Sequence, residues 1–292
     1  MTRYAVCSDV HEDFEAFKKF LTVAKVNSAD HVIVAGDLGK IHDTKKGLEA
    51  FCQDGDAERY LTGCREQHTN VLSKYKTLLD GARISYSVIP GNYDSSLSKV
   101  FGNKDLHLKK TKVNQATLAG YGGADAFPPH ILPHVHLESI VKFNHEELYK
   151  AMLKAKPDIA VIHNPPQGIL DKTSTGKHVG TEGAIAYLQD AFNRGIAPKL
   201  YVCGHIHEAR GVKAIEANNQ RTVVVNCGNL GREGPIDFRT LKTVQPGETY
   251  GTFALIDTED DGTVRKVLQC SIGNDDPRQP IVDPTVITQN VF

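Results

Sequence analysis

The chain has 292 residues, 40% hydrophobic and 24% charged, which describes a globular protein with length for a sizeable core and excludes a disordered one. Its 34 basic and 35 acidic side chains leave a formal net charge of -1, so nothing indicates a general nucleic-acid or membrane surface. No apolar stretch approaches the ~20 residues that span a bilayer. The opening Arg3-Tyr4-Ala5-Val6-Cys7 has no leader pattern, and the expected location is the cytoplasm.

Taken in chain order, Arg3–Ser8 reads as a strand and Glu12–Val26 as a helix, with Phe14, Phe17, Phe20, Leu21 and Ala24 at near-helical spacing. His31–Ala35 is a second strand. Lys45–Asp80 mixes polar and apolar residues and is expected to be helical around Tyr60–Leu79. Ile84–Ile89 is a third strand, and this alternation predicts a mainly parallel sheet in the first half. Val113–Leu118 reads as a strand. Ala119–His136, rich in Gly, Pro and His, reads as a long loop in which His130, His134 and His136 are candidate substrate contacts or lid-surface residues.

Asn144–Lys154 is expected to be helical, Ile159–Ile162 a buried strand, Thr181–Asn193 a helix and Lys199–Cys203 a strand. Strands alone follow, at Val212–Glu216, Thr222–Asn226, Thr252–Asp257 and Thr263–Cys270, with Asp261-Gly262 as a hairpin turn between the last two. Without a repeat or a Gly/Ser linker, 1–292 reads as one domain, its core at about 1–272 and an extended surface tail over 273–292. The six cysteines include no CxxC pair; Cys7, Cys203 and Cys227 end apolar runs and read as core thiols.

The strand ends carry the chemistry. Asp9 and His11 follow the first strand, Gly36-Asp37 the second, and Gly91-Asn92-Tyr93-Asp94 the third. His163 follows the Ile159 strand, and Gly204-His205-Ile206-His207 the Lys199 strand. In an open α/β sheet these carboxyl ends lie along one edge, where ligands bind. Imidazole and carboxylate donors without thiolates suit divalent Mn, Fe, Co, Ni or Zn. The set exceeds one tetrahedral site, so two ions are expected. Two ions ~4 Å apart can clamp a phosphoryl group and make a hydroxide nucleophile from a bridging water.

These motifs, Asp9-x-His11, Gly36-Asp37, Gly91-Asn92-x-Asp94, His163-x-Pro165 and Gly204-His205-x-His207, resemble those of the calcineurin-like metallophosphoesterases. Val225-Asn226-Cys227-Gly228-Asn229 resembles a late strand-turn of the same family, and the stretch from His163 to Gly180 is similar to a small prokaryotic branch of it. The resemblance implies a four-layer αββα sandwich of two mixed sheets with a binuclear site at one edge. It implies that Asp9, His11, Asp37 and His207 hold one ion, and that Asp37 bridges to a second held by Asn92, His163 and His205.

The chain departs from the family at Tyr93, where most members have a histidine that assists the leaving group; the partnering acid is retained as Asp94. A phenol titrates near ~10 and does not exchange protons near neutrality as imidazole does. His178 is a candidate replacement, Lys177 a candidate phosphate contact, and Tyr93 itself either a packed loop residue or a substrate contact.

The expected function is metal-dependent phosphodiester hydrolysis of a small phosphorylated substrate by attack of a metal-bridging hydroxide. A nucleotide pyrophosphohydrolase, a phosphomonoesterase and a catalytically weak metal-binding scaffold stand as alternatives. Neither a nucleic-acid partner nor an oligomeric state is indicated.

Overall fold

Residues of β1 (Thr2–Cys7) alternate between two buried faces: Tyr4 and Val6 enter one apolar cluster, Ala5 and Cys7 another. A strand buried on both sides requires a layer above and below it. The computed structural model, which describes residues 1–40, 52–125, 140–232, 236–237, 242–243, 251–272 and 281–283, supplies both layers.

One six-stranded sheet runs in the order β14 (Ile281–Asp283), β13 (Val264–Ser271), β12 (Thr252–Thr258), β1, β2 (His31–Val34), β3 (Ser85–Val88). The other runs β4 (Lys110–Val113), β5 (Ala116–Tyr121), β6 (Ile159–Ile162), β7 (Leu200–Cys203), β9 (Gln220–Asn226), β8 (Gly211–Ala217), and β10 (Ile236–Asp237) pairs separately with β11 (Lys242–Thr243). Val6, Ile33, Val161, Val202 and Val225 meet between the sheets. Helices α1 (Phe14–Val26) and α2 (Ala57–Ala82) cover the outer face of the first sheet through Phe17, Phe20, Leu72 and Tyr75. Beyond the short α3 (Ser98–Phe101), α4 (His145–Ala155) and α5 (Glu182–Asn193) cover the second sheet through Leu148, Met152, Tyr187 and Leu188. The result is the expected αββα sandwich.

The first sheet is mixed, as the family resemblance implied: β1, β2 and β3 are parallel, while β12 pairs antiparallel with β1 and β13 with β12. Two expectations change. The single strand expected over Val113–Leu118 is a hairpin, β4 and β5, turning at Asn114, which takes a left-handed φ of 52°. Strand β5 therefore continues to Tyr121, into the segment expected to be loop. After β7 a short 3-10 turn, His207–Ala209, interrupts the run of strands. His130, His134 and His136, the start of the Lys45–Asp80 segment, and all of the tail except β14 lie outside the described residues.

His31 opens β2 with its ring 2% exposed and Nε2 hydrogen-bonded to Ser87 Oγ at 2.9 Å. Burial, aided by the charge of Lys104, pushes its pKa down from 6.5 to about 4. Below 6.5 the unfolded chain takes up a proton that the folded chain refuses. Stability from the neutral ring is therefore complete above 6.5 and lost as pH falls towards 4. The loss expected over that window is about 3 kcal/mol. Urea unfolding of wild type should steepen with acid relative to His31→Gln, and parallel pH profiles would contradict this.

Candidate metal centre

The parallel strands point their carboxyl ends the same way, and the loops that follow are bonded to one another rather than splayed. Val10 and His11 both donate backbone N–H to Asp37 O, at 2.8 and 3.0 Å, and Gly204 N donates to His163 O at 3.0 Å. Asp9, His11, Asp37 and His205 hold φ of 54°, 45°, 53° and 63°, a left-handed conformation that L-residues avoid unless their surroundings enforce it. The neighbouring glycines make room for this. A Cβ on Gly91 would overlap the Asp37 carboxylate and backbone, and one on Gly204 would overlap Ser8 and Asp9.

Two ligand-like groups result. Asp9, His11 and His207 present atoms within 4.8 Å of one another, as do Asp37, His163 and His205. His207 Nε2 lies 3.1 Å from Asp9 Oδ1. His11 Nε2 lies 3.9 Å from Asp9 Oδ1 and 4.0 Å from Asp37 Oδ2, so Asp37 faces both groups. His163 Nε2 lies 3.4 Å from Asp37 Oδ2 and 3.1 Å from Asn92 Oδ1. All seven residues singled out as ligands by their position after strands thus lie at one edge.

Electrostatics in this pocket call for positive charge. Asp9 and Asp37 are 0% and 1% exposed. Burial alone would raise the Asp9 carboxyl, but His207, His163 and His11 hold it well below the usual carboxylate range. Burial likewise works against a charged His163, yet Asp37, Asp9 and the Ala35 carbonyl raise it to about 9.

The donor set fits a cation for a further reason. His163 Nδ1 is 2.7 Å from Ala35 O, to which it donates, leaving Nε2 to face the acceptors of Asn92 and Asp37. The amide nitrogen of Asn92 is buried without a hydrogen-bond partner among the described residues. Acceptors converging on acceptors need either a proton or a metal ion between them. Cys7, Cys203 and Cys227 are buried, and burial pushes all three thiols up, so none of these three competes as a thiolate.

The remaining candidates sit around this core. Tyr93 N donates to Asp37 Oδ1 at 2.8 Å, and its half-buried ring packs edge-on to His11 at 5.1 Å. Asp94 is fully buried and accepts from Leu38 N, Gly39 N and Gly91 N. Its burial would raise the carboxyl, but His68 and the N–H groups of Gly91 and Gly39 lower it. His178, half exposed, places Nδ1 2.6 Å from the buried Asp171. Lys177 is exposed and its carbonyl accepts from Thr173 N. Among the described residues neither His178 nor Lys177 bonds to the clustered side chains.

Two supporting residues had no role assigned from the sequence: Asn226, which lies in the strand-turn quoted for the resemblance, and His68, which was not singled out. Asn226, at the end of β9, donates to Leu170 O and Ile206 O, both at 3.1 Å, and so holds the turn between His205 and His207. His68, on α2, bonds to Asp94. Its signal was a histidine in register with Leu61, Leu72, Tyr75 and Leu79 on an otherwise apolar stripe.

The family model of the calcineurin-like phosphoesterases matches residues 2–209. Among solved structures, one crystal structure aligns with a TM-score of 0.65 at 16% identity, covering 93% of this chain and 99% of that one. A second, TT1561 of Thermus thermophilus, aligns with a TM-score of 0.52 at 18% identity, covering 84% and 99%. At such identities the likeness concerns the fold. No curated protein gives a match.

Proposed function

The chain belongs to the calcineurin-like phosphoesterases, a family of metal-dependent hydrolases of phosphate esters, and from that premise we propose that it is a binuclear enzyme acting on phosphodiesters. The observation that carries this reading is the pair of facing groups, Asp9, His11 and His207 against Asp37, His163 and His205, with Asp37 between them. Asp9, His11, Asp37 and His207 would hold one ion, and Asp37, Asn92, His163 and His205 the other. Two such ions supply charge for the phosphoryl oxygens and acidify water for the attack.

Within that frame the chain's own residues position and restrain. The Ala35 carbonyl keeps Nε2 of His163 directed inward, and the Tyr93 amide orients the Asp37 carboxylate. The strained loop backbone keeps these groups aimed without reorganisation during the reaction. Preference for diesters, or for esters with good leaving groups, follows from the phenol of Tyr93, packed edge-on to His11, because a phenol is a poorer proton donor near neutrality than an imidazolium. His178, paired with Asp171, is the nearest alternative in chemical type, because its Nδ1 is engaged and its ring is half exposed.

The test is a panel of aryl and alkyl phosphodiesters, aryl monoesters and dinucleotides, assayed with Mn, Fe, Co, Ni and Zn. Aryl diesters should turn over fastest, and Tyr93→Phe should keep that rate within about threefold because a good leaving group needs little protonation. A tenfold or larger fall in Tyr93→Phe would return the phenol to the mechanism. Hydrolysis confined to dinucleotide anhydrides would favour the pyrophosphohydrolase alternative.

A further inference from the structure

In place of an imidazole next to Asp94 in sequence, this chain brings one from a helix. His68, 5% exposed, sets Nε2 3.2 Å from Asp94 Oδ1 and Nδ1 2.7 Å from Ser95 Oγ. A neutral ring satisfies both contacts: Nε2–H donates to the carboxylate and the serine hydroxyl donates to Nδ1. Asp94 in turn receives Gly91 N at 2.9 Å and Leu38 N at 3.1 Å on one oxygen, and Gly39 N at 2.8 Å on the other. Gly91 precedes Asn92, while Leu38 and Gly39 follow Asp37. One carboxylate therefore ties together the two loops that carry Asp37 and Asn92.

The fit around the ring is tight. A Cβ on Gly39 would stand 2.5 Å from His68 Nε2, so this loop approaches the helix at a distance that only glycine allows. With both nitrogens engaged and the ring buried, His68 has no free face with which to protonate a substrate.

We propose that His68 is a positioning residue: it fixes Asp94, and through Asp94 the relative placement of Asp37 and Asn92 for the ion they would share. This rests on the two-ion reading above and adds to it a dependence on α2. A partner that orients ligands in this way typically contributes about 10- to 100-fold to metal affinity.

The experiment is calorimetric titration of the metal-stripped full chain with Mn, for wild type, His68→Ala, His68→Gln and Ser95→Ala. Circular dichroism and Tm monitor folding. In wild type two binding steps are expected. His68→Ala should weaken one of them by about tenfold or more and leave the other within about threefold. His68→Gln, whose amide can still donate to Asp94, should recover most of that loss. Should His68→Ala fail to fold, Ser95→Ala decides, with the same step expected to weaken by about threefold. Unchanged affinities in folded variants, or equal losses in Ala and Gln, would overturn the positioning role while leaving the two-ion reading intact. No metal binding by wild type would instead overturn that reading, and this inference with it.

Discussion

Asp37→Asn should reduce aryl phosphodiester hydrolysis by about a thousandfold, the effect of losing several kcal/mol of transition-state charge stabilisation. The substitution changes one atom and one charge. The carboxylate is 1% exposed and faces His11 at 4.0 Å and His163 at 3.4 Å, so its charge acts on both halves of the centre at once. A neutral amide keeps the volume and one acceptor, while its nitrogen would confront the imidazoles or the ions. Steady-state assays at saturating metal measure the effect, with circular dichroism as the control for folding. A variant within tenfold of wild type would show that Asp37 does not serve both ions.

Gly91→Ala is expected to damage the same centre from the backbone side. The added Cβ would overlap both the Asp37 side chain and its backbone nitrogen, and neither is the free end of a flexible chain. Either the Asn92 loop or the Asp37 loop must move. Overpacking of this kind destabilises by about 1–3 kcal/mol, and displacement of reacting groups by about 1 Å can lower the rate about a hundredfold. Urea unfolding and diester assays on one preparation separate the two effects. A fully active Gly91→Ala would mean that these loops can part without consequence.

The centre was legible in the sequence because its residues follow strand-like runs directly. Asp9, Asp37, Asn92, His163 and His205 each come within a few residues of the end of β1, β2, β3, β6 or β7, so local pattern and topology place them on one edge. Layer composition was readable for the same reason, since continuous apolar strands such as Ile159–Ile162 imply burial on both faces. What escaped depends on contacts distant in sequence. That the sheets are mixed was implied by the family resemblance, but that Thr2–Cys7 pairs with Thr252–Thr258 was not, because nothing local to either strand announces its partner. The β4–β5 hairpin was hidden because Asn114-Gln115 carries no glycine, and Asn114 itself adopts the left-handed turn conformation. His68 was hidden by its helix, where one polar residue on an apolar stripe acquires meaning only beside Asp94.

Every other expectation depends on cation binding, which metal analysis of the purified full chain measures. After gentle purification and reconstitution with Mn, wild type should carry about two ions per chain and Asp37→Asn about one or fewer. Fewer than about one ion per wild-type chain, in protein with native circular dichroism, would contradict cation binding.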